Sequence, residues 1–321
     1  MKTIRWGMIG CGNVTEVKSG PGFQLAEHST LQALMYRNID KARNYAQRHH
    51  VDTWYDNAQQ LIDDPAVDII YVATPPSSHK DYVIMAAEAG KPVYVEKPMA
   101  LNMRQCKEMN TACKIAGVSL FVAYYRRALP RFLKIKSLID SGEIGNVRFI
   151  NTILYMTPSK IDLEKKENWR TNPEVSGGGY FVDLACHTLD ILQFYFGHII
   201  FAQGNSANQA ELYPTEDMVI GNFIFSNGVQ GIGAWCFSAY DKLDRTEIVG
   251  DKGKITFATF GNDPVLLETA SGKQIFDLLN PVHIQQPLIQ TIVDELLGKG
   301  KCPSTGETAA RTNWAMDRIL N

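Results

Sequence analysis

A short apolar segment at residues 4–9 runs directly into the sequence GCGNVT at residues 10–15. The segment has the composition of a buried strand, and the pattern after it is G-x-G-x-x-T. In a dinucleotide-binding turn the first glycine permits a tight turn and the second lets the backbone approach a pyrophosphate. The N–H groups of the following helix then face the anion. A second predicted strand follows at residues 31–36, which favours a nucleotide turn over a purely structural glycine turn. The predicted contacts are Gly10, Gly12, Asn13 and Val14.

The end of the second predicted strand indicates which dinucleotide fits. An NAD-preferring site carries an acid here, which accepts a hydrogen bond from the ribose 2′-hydroxyl. This chain has Tyr36 at that position and Arg37 beside it. A guanidinium without a neighbouring carboxylate favours a 2′-phosphate, so we expect NADP, with NAD as the alternative. Arg37 can also be a solvated loop residue, and Asp40 lies further along the chain than a ribose acid should.

Strands and helices alternate throughout residues 1–123. Apolar strands are predicted at residues 67–73, 93–95 and 119–123, with helices between them. This alternation predicts an N-terminal Rossmann domain with a doubly wound parallel sheet. Ligands bind beyond the carboxyl ends of the strands in such sheets. The loops at three strand ends should therefore meet, and beyond the glycine turn the predicted cofactor contacts are Thr74, Pro75, His79, Glu96 and Lys97. His79 can equally be a hydrogen-bonded loop histidine.

Residues 124–321 have a different pattern. Successive strand-like segments are predicted at residues 146–155, 219–225, 229–235, 245–249 and 254–259. Asn227-Gly228 and Asp251-Lys252-Gly253 are hairpin signals between them. They predict a C-terminal α+β domain with a large open, mostly antiparallel sheet, whose broad apolar face would serve subunit association. Closing helices are predicted at 286–297 and 307–320, with the option that the C-terminal helix packs back on the first domain.

The sequence VYVEKPMA at residues 93–100 places Lys97 at a strand end, between Glu96 and Pro98. An ammonium at this position can hydrogen-bond a substrate oxygen and stabilise developing alkoxide character, an effect of about 3–4 kcal/mol for one preorganised group. Pro98 restricts the backbone behind the lysine, and the Lys97–Pro98 bond can be cis. The alternative is a salt-bridged lysine with a structural role.

A second polar group lies in GGGYFVDLACHTLDILQFYFG at residues 177–197. Asp183, His187 and Asp190 are spaced i, i+4 and i+7 on a helix whose other positions are nearly all apolar, so the helix should be buried. Its polar stripe is either a solvated edge or the wall of a cavity, and the three preceding glycines favour a ligand site. We assign proton transfer to His187, oriented by Asp183, and the alternative is that Lys97, whose pKa burial would lower, shares the proton transfer.

Other candidates rest on residue type alone. Aromatic and arginine side chains near these segments are suited to a polyol, although the tryptophan can equally be a packed core residue. The predicted substrate contacts are Tyr124, Arg126, Trp169 and Arg170. The spacing of His, Cys, Asp and Glu indicates no metal site, because Cys186 points away from the face of Asp183 and His187.

Taken together, IGCGNVTEVKSGP, ATPPSSH, EKPMA and GGGYFVDLACHTLD resemble the glucose–fructose oxidoreductase / inositol dehydrogenase / MocA family over nearly the whole chain. The resemblance implies NAD- or NADP-dependent oxidation or reduction of a secondary alcohol on a sugar, cyclitol or related small molecule. It also implies a homodimer or homotetramer formed through the open sheet. The chain departs from the family pattern where the ribose acid is replaced by Tyr36 and where Thr15 ends the glycine motif.

Composition limits the other functions. The net charge is −2 with scattered basic residues, which predicts neither nucleic acid nor membrane partners. Six cysteines without a CxxC pair and the absence of a signal peptide predict a cytoplasmic protein. Two alternatives keep the same fold: an NAD-dependent glycosidase, disfavoured by Arg37, and a non-catalytic NAD(P)-sensing regulator, disfavoured by the presence of Lys97, Asp183 and His187.

Overall fold

The computed structural model describes residues 2–321, which form two compact units. The first unit comprises the chain up to Ala100 together with Arg104–Leu129 and Pro281–Ala310. The second comprises Leu101–Met103, Pro130–Asn280 and Arg311–Asn321. The segment Pro281–Ala310 therefore belongs to the first unit although it follows most of the second unit in sequence.

The first unit contains a six-stranded parallel sheet, as the alternation of strands and helices predicts. Its spatial order is β3-β2-β1-β4-β5-β6. The strands are β1 (Ile4–Ile9), β2 (Ser29–Met35), β3 (Thr53–Tyr55), β4 (Ile69–Val72), β5 (Val93–Val95) and β6 (Leu120–Val122). The helices are α1 (Gly20–Leu25), α2 (Ile39–Arg48), α3 (Ala58–Asp63), α4 (His79–Glu88), α5 (Met103–Ala116) and α10 (Gln286–Leu296). Short helical turns add Thr15–Ser19, which is π-helical, and Pro76–Ser78 and Tyr125–Ala128.

Four large aromatic rings pack in the core of the first unit. Trp6 lies 4.6 Å from Phe23, Phe23 lies 5.0 Å from Tyr71, and Tyr71 stacks on Tyr94 at 5.0 Å between ring centroids. All four side chains are fully buried. Because a buried tyrosine needs a partner for its hydroxyl, the two tyrosines require polar groups within this core.

The second unit contains an eight-stranded sheet of order β14-β13-β12-β11-β7-β10-β9-β8. The pair β7–β10 is parallel and the other pairs are antiparallel. The strands are β7 (Val147–Tyr155), β8 (Ile199–Ala207), β9 (Met218–Phe225), β10 (Gln230–Cys236), β11 (Leu243–Gly250), β12 (Gly253–Phe257), β13 (Val265–Thr269) and β14 (Gly272–Phe276). The helices are α6 (Pro130–Asp140), α7 (Lys160–Leu163), α8 (Pro173–Ser176), α9 (Cys186–Phe196) and α11 (Gly306–Leu320), with short turns at Trp169–Thr171 and Phe181–Ala185. Both expected hairpins, β9–β10 and β11–β12, are confirmed.

Side chains alternate between the two faces of this second sheet. Inward residues such as Phe223 and Trp235 are fully or almost fully buried, whereas Ile220 and Ile232 on the same strands are more than half exposed. The strands β8, β13 and β14 were not predicted from the sequence. They lie at the two ends of the strand order, and most side chains of β8 and β14 are exposed, so these two strands lack a strong hydrophobic alternation.

Candidate active site

The glycine turn after β1 has the geometry of a dinucleotide cradle. Gly10 has φ +102°, and a Cβ atom at this position would lie 2.8 Å from the Ala73 carbonyl oxygen, so only glycine fits. A Cβ atom at Gly12 would meet nothing within 4 Å, which leaves open space where a pyrophosphate could approach the backbone. Thr15, the departure from the usual motif, is buried and donates from its hydroxyl to the Gly12 carbonyl oxygen at 2.8 Å. The threonine therefore stabilises the turn from within.

An ion-paired cluster that the sequence did not reveal joins the turn to α2. Arg48 binds the Glu16 carboxylate through two nitrogens, at 2.6 and 2.8 Å, and His49 Nε2 lies 2.8 Å from the same group. The hydrogen bonds from Arg48, and then those from His49, lower the pKa of Glu16 to about 2 although burial opposes the shift. The partners are 32 and 33 residues apart, so no local pattern identifies the pair.

The end of β2 carries the residues proposed for cofactor choice. Tyr36 is half-buried and Arg37 is exposed. Asn38 caps α2 by accepting from the Lys41 backbone N–H at 3.0 Å. Asp40 points at Arg43, 3.5 Å from its guanidinium. The surface after β2 is therefore rich in cations, and its single nearby acid is matched with an arginine.

His79 lies behind the lysine loop. It is fully buried, with Nδ1 at 3.2 Å from the carbonyl oxygens of Pro98 and Met99 and Nε2 at 2.8 Å from that of Thr74. Burial lowers the pKa of His79 by more than these carbonyl contacts raise it. The histidine links the Thr74–Pro75 loop to the backbone that follows Lys97.

The Glu96 carboxylate lies directly before Lys97 and is held in the buried core. Its Oε1 accepts from the Tyr71 hydroxyl at 2.6 Å and from the Gln285 side-chain amide at 2.7 Å. Its Oε2 accepts from the Lys97 backbone N–H at 3.3 Å. The Lys97–Pro98 peptide is cis, as the sequence allowed. Glu96 therefore contacts the backbone that carries the lysine.

Aromatic and basic residues follow β6 at the same edge of the sheet. Tyr124 and Arg126 are buried, and the Arg126 guanidinium lies 5.0 Å from the Tyr125 ring. Burial raises the pKa of Tyr125, but the charges of Arg126, Lys18 and Lys97 lower it by more, so the pKa lies below its ordinary value. The carboxyl edge of the first sheet is thus electropositive around Lys97.

In the second unit, the polar stripe begins in a π-helical turn. Gly177, with φ +84°, ends α8, and a Cβ atom there would lie 2.7 Å from the Leu101 carbonyl oxygen. Asp183 lies in the turn Phe181–Ala185, and His187 lies in the first turn of α9. His187 is buried, with its ring 5.8 Å from that of Phe260. The prediction of a buried helix bearing a narrow polar stripe is confirmed, although its first turn is wider than an α-helix.

Arg170 and Asp183 form an ion pair. The Arg170 Nε lies 3.4 Å from Asp183 Oδ2, and its guanidinium lies 4.5 Å from the Trp169 ring. The arginine side chain is 46% exposed and that of the aspartate 19%. Trp169 is also exposed, so it is not the packed core residue that the sequence left open. This group presents an aromatic face, a cation and a carboxylate together.

A neighbouring cluster in the second unit was also missed by sequence reasoning. The Tyr180 hydroxyl donates to the buried carboxylate of Asp162 at 2.9 Å and accepts from the Asn168 side chain at 2.9 Å. Ser159 donates to the same carboxylate at 2.6 Å. These bonds connect α7 and the Asn168–Arg170 segment to the helix that begins after the three glycines.

Two further properties concern the described residues as a whole. Across residues 2–321, no helix is both long and apolar enough to cross a bilayer. No group of three or more His, Cys, Asp or Glu side chains in this part of the chain is arranged to hold a metal ion.

Comparison with known families agrees with this architecture. Residues 4–124 match the oxidoreductase family with an NAD-binding Rossmann fold of the GFO/IDH/MocA group, and residues 132–256 match the GFO/IDH/MocA C-terminal domain. The chain therefore belongs to the GFO/IDH/MocA oxidoreductase family.

Individual relatives span nearly the same length. The chain is 42% identical to oxidoreductase P35 of Formosa agariphila, over 98% of this chain and 97% of that protein. It is 28% identical to scyllo-inositol 2-dehydrogenase (NAD(+)) of Bacillus subtilis, over 88% of this chain and 80% of that protein. Levoglucosan dehydrogenase, solved with NADH and levoglucosan, has the same fold with a TM-score of 0.88 at 21% identity, over 99% of this chain and 96% of that one.

Proposed function

We propose that the protein transfers hydride between a nicotinamide dinucleotide and a secondary alcohol or ketone of a sugar, cyclitol or related small molecule. The observation that carries the proposal is the carboxyl edge of the first sheet, where the open backbone at Gly12 and the Glu96–Lys97 pair follow β1 and β5. Ligands of doubly wound sheets bind at this edge. The substrate class is supported by relatives named as inositol and levoglucosan dehydrogenases.

We assign one role in the proposed reaction to each of these residues. Backbone at Gly10, Gly12, Asn13 and Val14 would hold the pyrophosphate, and a bound dinucleotide would supply the hydride acceptor or donor. The Lys97 ammonium binds the substrate oxygen and stabilises negative charge that develops on it. His187 takes the hydroxyl proton in oxidation and returns it in reduction. Asp183 orients the imidazole.

Other residues of the proposed site would contact the substrate or the cofactor. Trp169 offers a flat apolar face to a ring, and Arg170 can donate to hydroxyl groups while it remains paired with Asp183. Tyr124 and Arg126 would line the substrate side of the lysine edge. Thr74, Pro75 and Glu96 would contact the cofactor, and His79 keeps the Thr74 loop at the backbone behind Lys97.

Substitution of the two proton-handling residues tests the reaction. Lys97→Ala and His187→Ala should each lower kcat by about 10²–10³-fold, the effect of losing one preorganised charge or one acid–base group. Binding of NAD(P)H, followed by its fluorescence, should change by less than about threefold, because neither residue holds the pyrophosphate. Reduced cofactor should accumulate with a sugar or cyclitol substrate, which a glycosidase would not release. Wild-type turnover in both variants would refute the mechanism.

For the cofactor we propose NADP over NAD, on the basis of the exposed Arg37 and the missing ribose acid at Tyr36. Levoglucosan dehydrogenase was solved with NADH, so the binding of NAD and of NADP must be measured side by side. Arg37→Ala should weaken NADP binding about tenfold, the loss of one charge-assisted pair, and leave NAD binding unchanged. Equal losses for both dinucleotides would contradict the assignment, and the control is Arg104→Ala, an exposed arginine on α5 that pairs with Glu108.

We also propose that the exposed sheet face mediates homodimer or homotetramer formation. Phe149, Phe201, Ile220 and Ile232 expose apolar surface on four neighbouring strands, and all of them except Ile220 line a cavity of about 330 Å³. A contiguous apolar patch of this kind is typical of subunit interfaces. Sedimentation velocity should show an oligomer for the wild type and a monomer for Ile232→Asp. A monomeric wild type would exclude the proposed oligomer.

The absence of disulfides supports a reducing, cytoplasmic location for the proposed enzyme. None of the six cysteines forms a disulfide within residues 2–321, and disulfides are rare in that compartment. Cell fractionation tests the location, and recovery in the periplasmic or secreted fraction would exclude it.

A further inference from the structure

Gln285 completes a buried ring of hydrogen bonds that passes through the carboxylate of Glu96, the residue before Lys97. Its side-chain nitrogen donates to Glu96 Oε1 at 2.7 Å, and its side-chain oxygen accepts from the Tyr94 hydroxyl at 2.8 Å. Its backbone N–H donates to the Lys18 carbonyl oxygen at 3.3 Å. Gln285 is fully buried. The side chain of this one residue thus connects strand β5 to the carboxylate that follows it.

The ring closes on the helical turn that follows the glycine motif. The Tyr71 hydroxyl donates to Glu96 Oε1 at 2.6 Å and lies 3.0 Å from the Ser19 hydroxyl. Ser19 and Lys18 both belong to the π-helical turn after Val14. Glu96 is therefore joined to this turn by two routes, one through Tyr71 and Ser19 and one through Gln285 and the Lys18 carbonyl.

The directions of these hydrogen bonds are defined by chemistry. Burial, and after it the nearby charge of Glu96, holds the pKa of Tyr71 and of Tyr94 well above the ordinary value, so both hydroxyls remain protonated donors. Tyr94 then requires an acceptor and Glu96 requires a donor. A side-chain amide provides both, whereas a carboxylate or an apolar residue at position 285 would satisfy at most one of them.

The ring ends at the proposed catalytic residue. Glu96 Oε1 is occupied by Tyr71 and Gln285, and Oε2 accepts from the Lys97 backbone N–H at 3.3 Å. A carboxylate held at one oxygen by two donors has little freedom to rotate. The direction of its second oxygen, and with it the Lys97 backbone, is consequently determined by both donors.

We propose that Gln285 is a positioning residue for Lys97, which it acts on through the Glu96 carboxylate, so that the lysine is held in register with the turn that binds the cofactor. The inference rests on the proposed function, in which Lys97 binds the substrate oxygen. Displacing a catalytic group by about 1 Å can cost about 10²-fold in rate. Loss of the Gln285 amide should therefore appear in turnover more than in binding.

Replacing the amide by an apolar chain of similar length tests the proposal. Gln285→Met should lower kcat by about 10- to 100-fold, with KM and the dissociation constant for NAD(P)H within about twofold of wild type. The matched control is Gln290→Met on helix α10, which begins directly after Gln285; the Gln290 side-chain oxygen accepts from the Glu27 backbone N–H at 2.7 Å on the surface. The control should keep wild-type kcat. A Gln285→Met enzyme that folds and keeps wild-type kcat overturns the proposal.

A double-mutant cycle with Lys97→Ala separates positioning from a general structural effect. If Gln285 acts through the lysine, Gln285→Met should lower kcat no further in the Lys97→Ala background. Multiplicative losses would overturn the proposal. If Lys97→Ala alone keeps wild-type turnover, the proposed function fails instead, so the two failures are distinguishable.

A second variant applies if Gln285→Met does not fold. Tyr71→Phe removes the other donor to Glu96 Oε1, together with the contact to the Ser19 hydroxyl, and keeps the ring in the core. The same proposal predicts a loss in kcat of about tenfold, again absent in the Lys97→Ala background. Wild-type kcat in a folded Tyr71→Phe enzyme would contradict it.

Discussion

The two acids beside the proposed catalytic residues are held in opposite ways. Glu96 in the first unit is buried and accepts hydrogen bonds from two neutral side chains of the core. Asp183 in the second unit is paired with Arg170, whose side chain is nearly half exposed. A buried, hydrogen-bonded carboxylate is insensitive to salt, whereas a partly exposed ion pair is screened and exchangeable. If the two residues act as proposed, the comparison predicts that Lys97 is positioned before substrate binds, while the surroundings of Asp183 adjust on binding.

The largest expected effect is a loss of stability when the buried carboxylate of Glu96 is removed. Glu96→Ala removes the acceptor of the Gln285 amide and of the Lys97 backbone N–H, and it leaves the Tyr71 hydroxyl only its contact with Ser19. Each buried unsatisfied group costs about 1–3 kcal/mol, so the free energy of unfolding should fall by about 2–5 kcal/mol. Urea denaturation measures the change.

The control for Glu96→Ala is Glu96→Gln. Its side-chain oxygen can still accept from both donors, so the stability should stay within about 1 kcal/mol of wild type. Equal losses in the two variants would mean that the carboxylate charge, which both variants lack, makes Glu96 important for stability, rather than its acceptance of hydrogen bonds from Tyr71 and Gln285.

Removing the partly exposed ion pair between Arg170 and Asp183 should affect substrate binding more than protein stability. Arg170→Ala should change the free energy of unfolding by less than about 1 kcal/mol, because a partly exposed ion pair contributes little. The KM for a polyol substrate should rise about three- to tenfold, which corresponds to the roughly 1 kcal/mol of one hydrogen bond. Steady-state kinetics at low and high salt measures it.

The matched variant is Arg170→Lys, which keeps the charge and loses the planar fork, and it should recover part of the affinity. A collapse in stability on Arg170→Ala, comparable with that of Glu96→Ala, would remove the distinction between the two acids.

The smallest expected effect concerns Glu16, whose carboxylate forms a solvent-accessible ion pair with Arg48 in the first unit. Its pKa is lowered to about 2 from an ordinary value of 4.5, first by hydrogen bonds from Arg48. The folded state therefore favours the ionised form, and this contribution is present above about pH 4.5 and lost as the pH falls toward about 2. Allowing for solvent screening of an accessible pair, it should be about 1 kcal/mol at neutral pH.

Comparison of wild type with Glu16→Gln measures this contribution. The difference in the free energy of unfolding should be greatest near pH 7, shrink below about pH 4.5 and vanish near pH 2. High salt should reduce it at neutral pH. A difference that does not depend on pH would show that the carboxylate charge is not its source.

Local patterns predicted much of this molecule. The strand–glycine turn–helix at residues 4–25 and the hairpins at Asn227-Gly228 and Asp251-Lys252-Gly253 were readable because backbone geometry there depends on adjacent residues. The buried stripe of Asp183 and His187 was readable because helix periodicity is local. The strands β3, β8, β13 and β14 escaped prediction because they are short or mostly exposed segments at the ends of their sheets.

By itself, the sequence determined the fold class, the glycine turn and the residue types that flank each strand end, because these depend on spacing over a few residues. Only the tertiary structure decided which donors meet Glu96, since Gln285 comes from 189 residues further along the chain, and which acid Arg48 and Arg170 each bind. Hydrogen bonds and ion pairs act over about 3 Å, so their partners are defined by where the chain returns in space and not by any pattern along it.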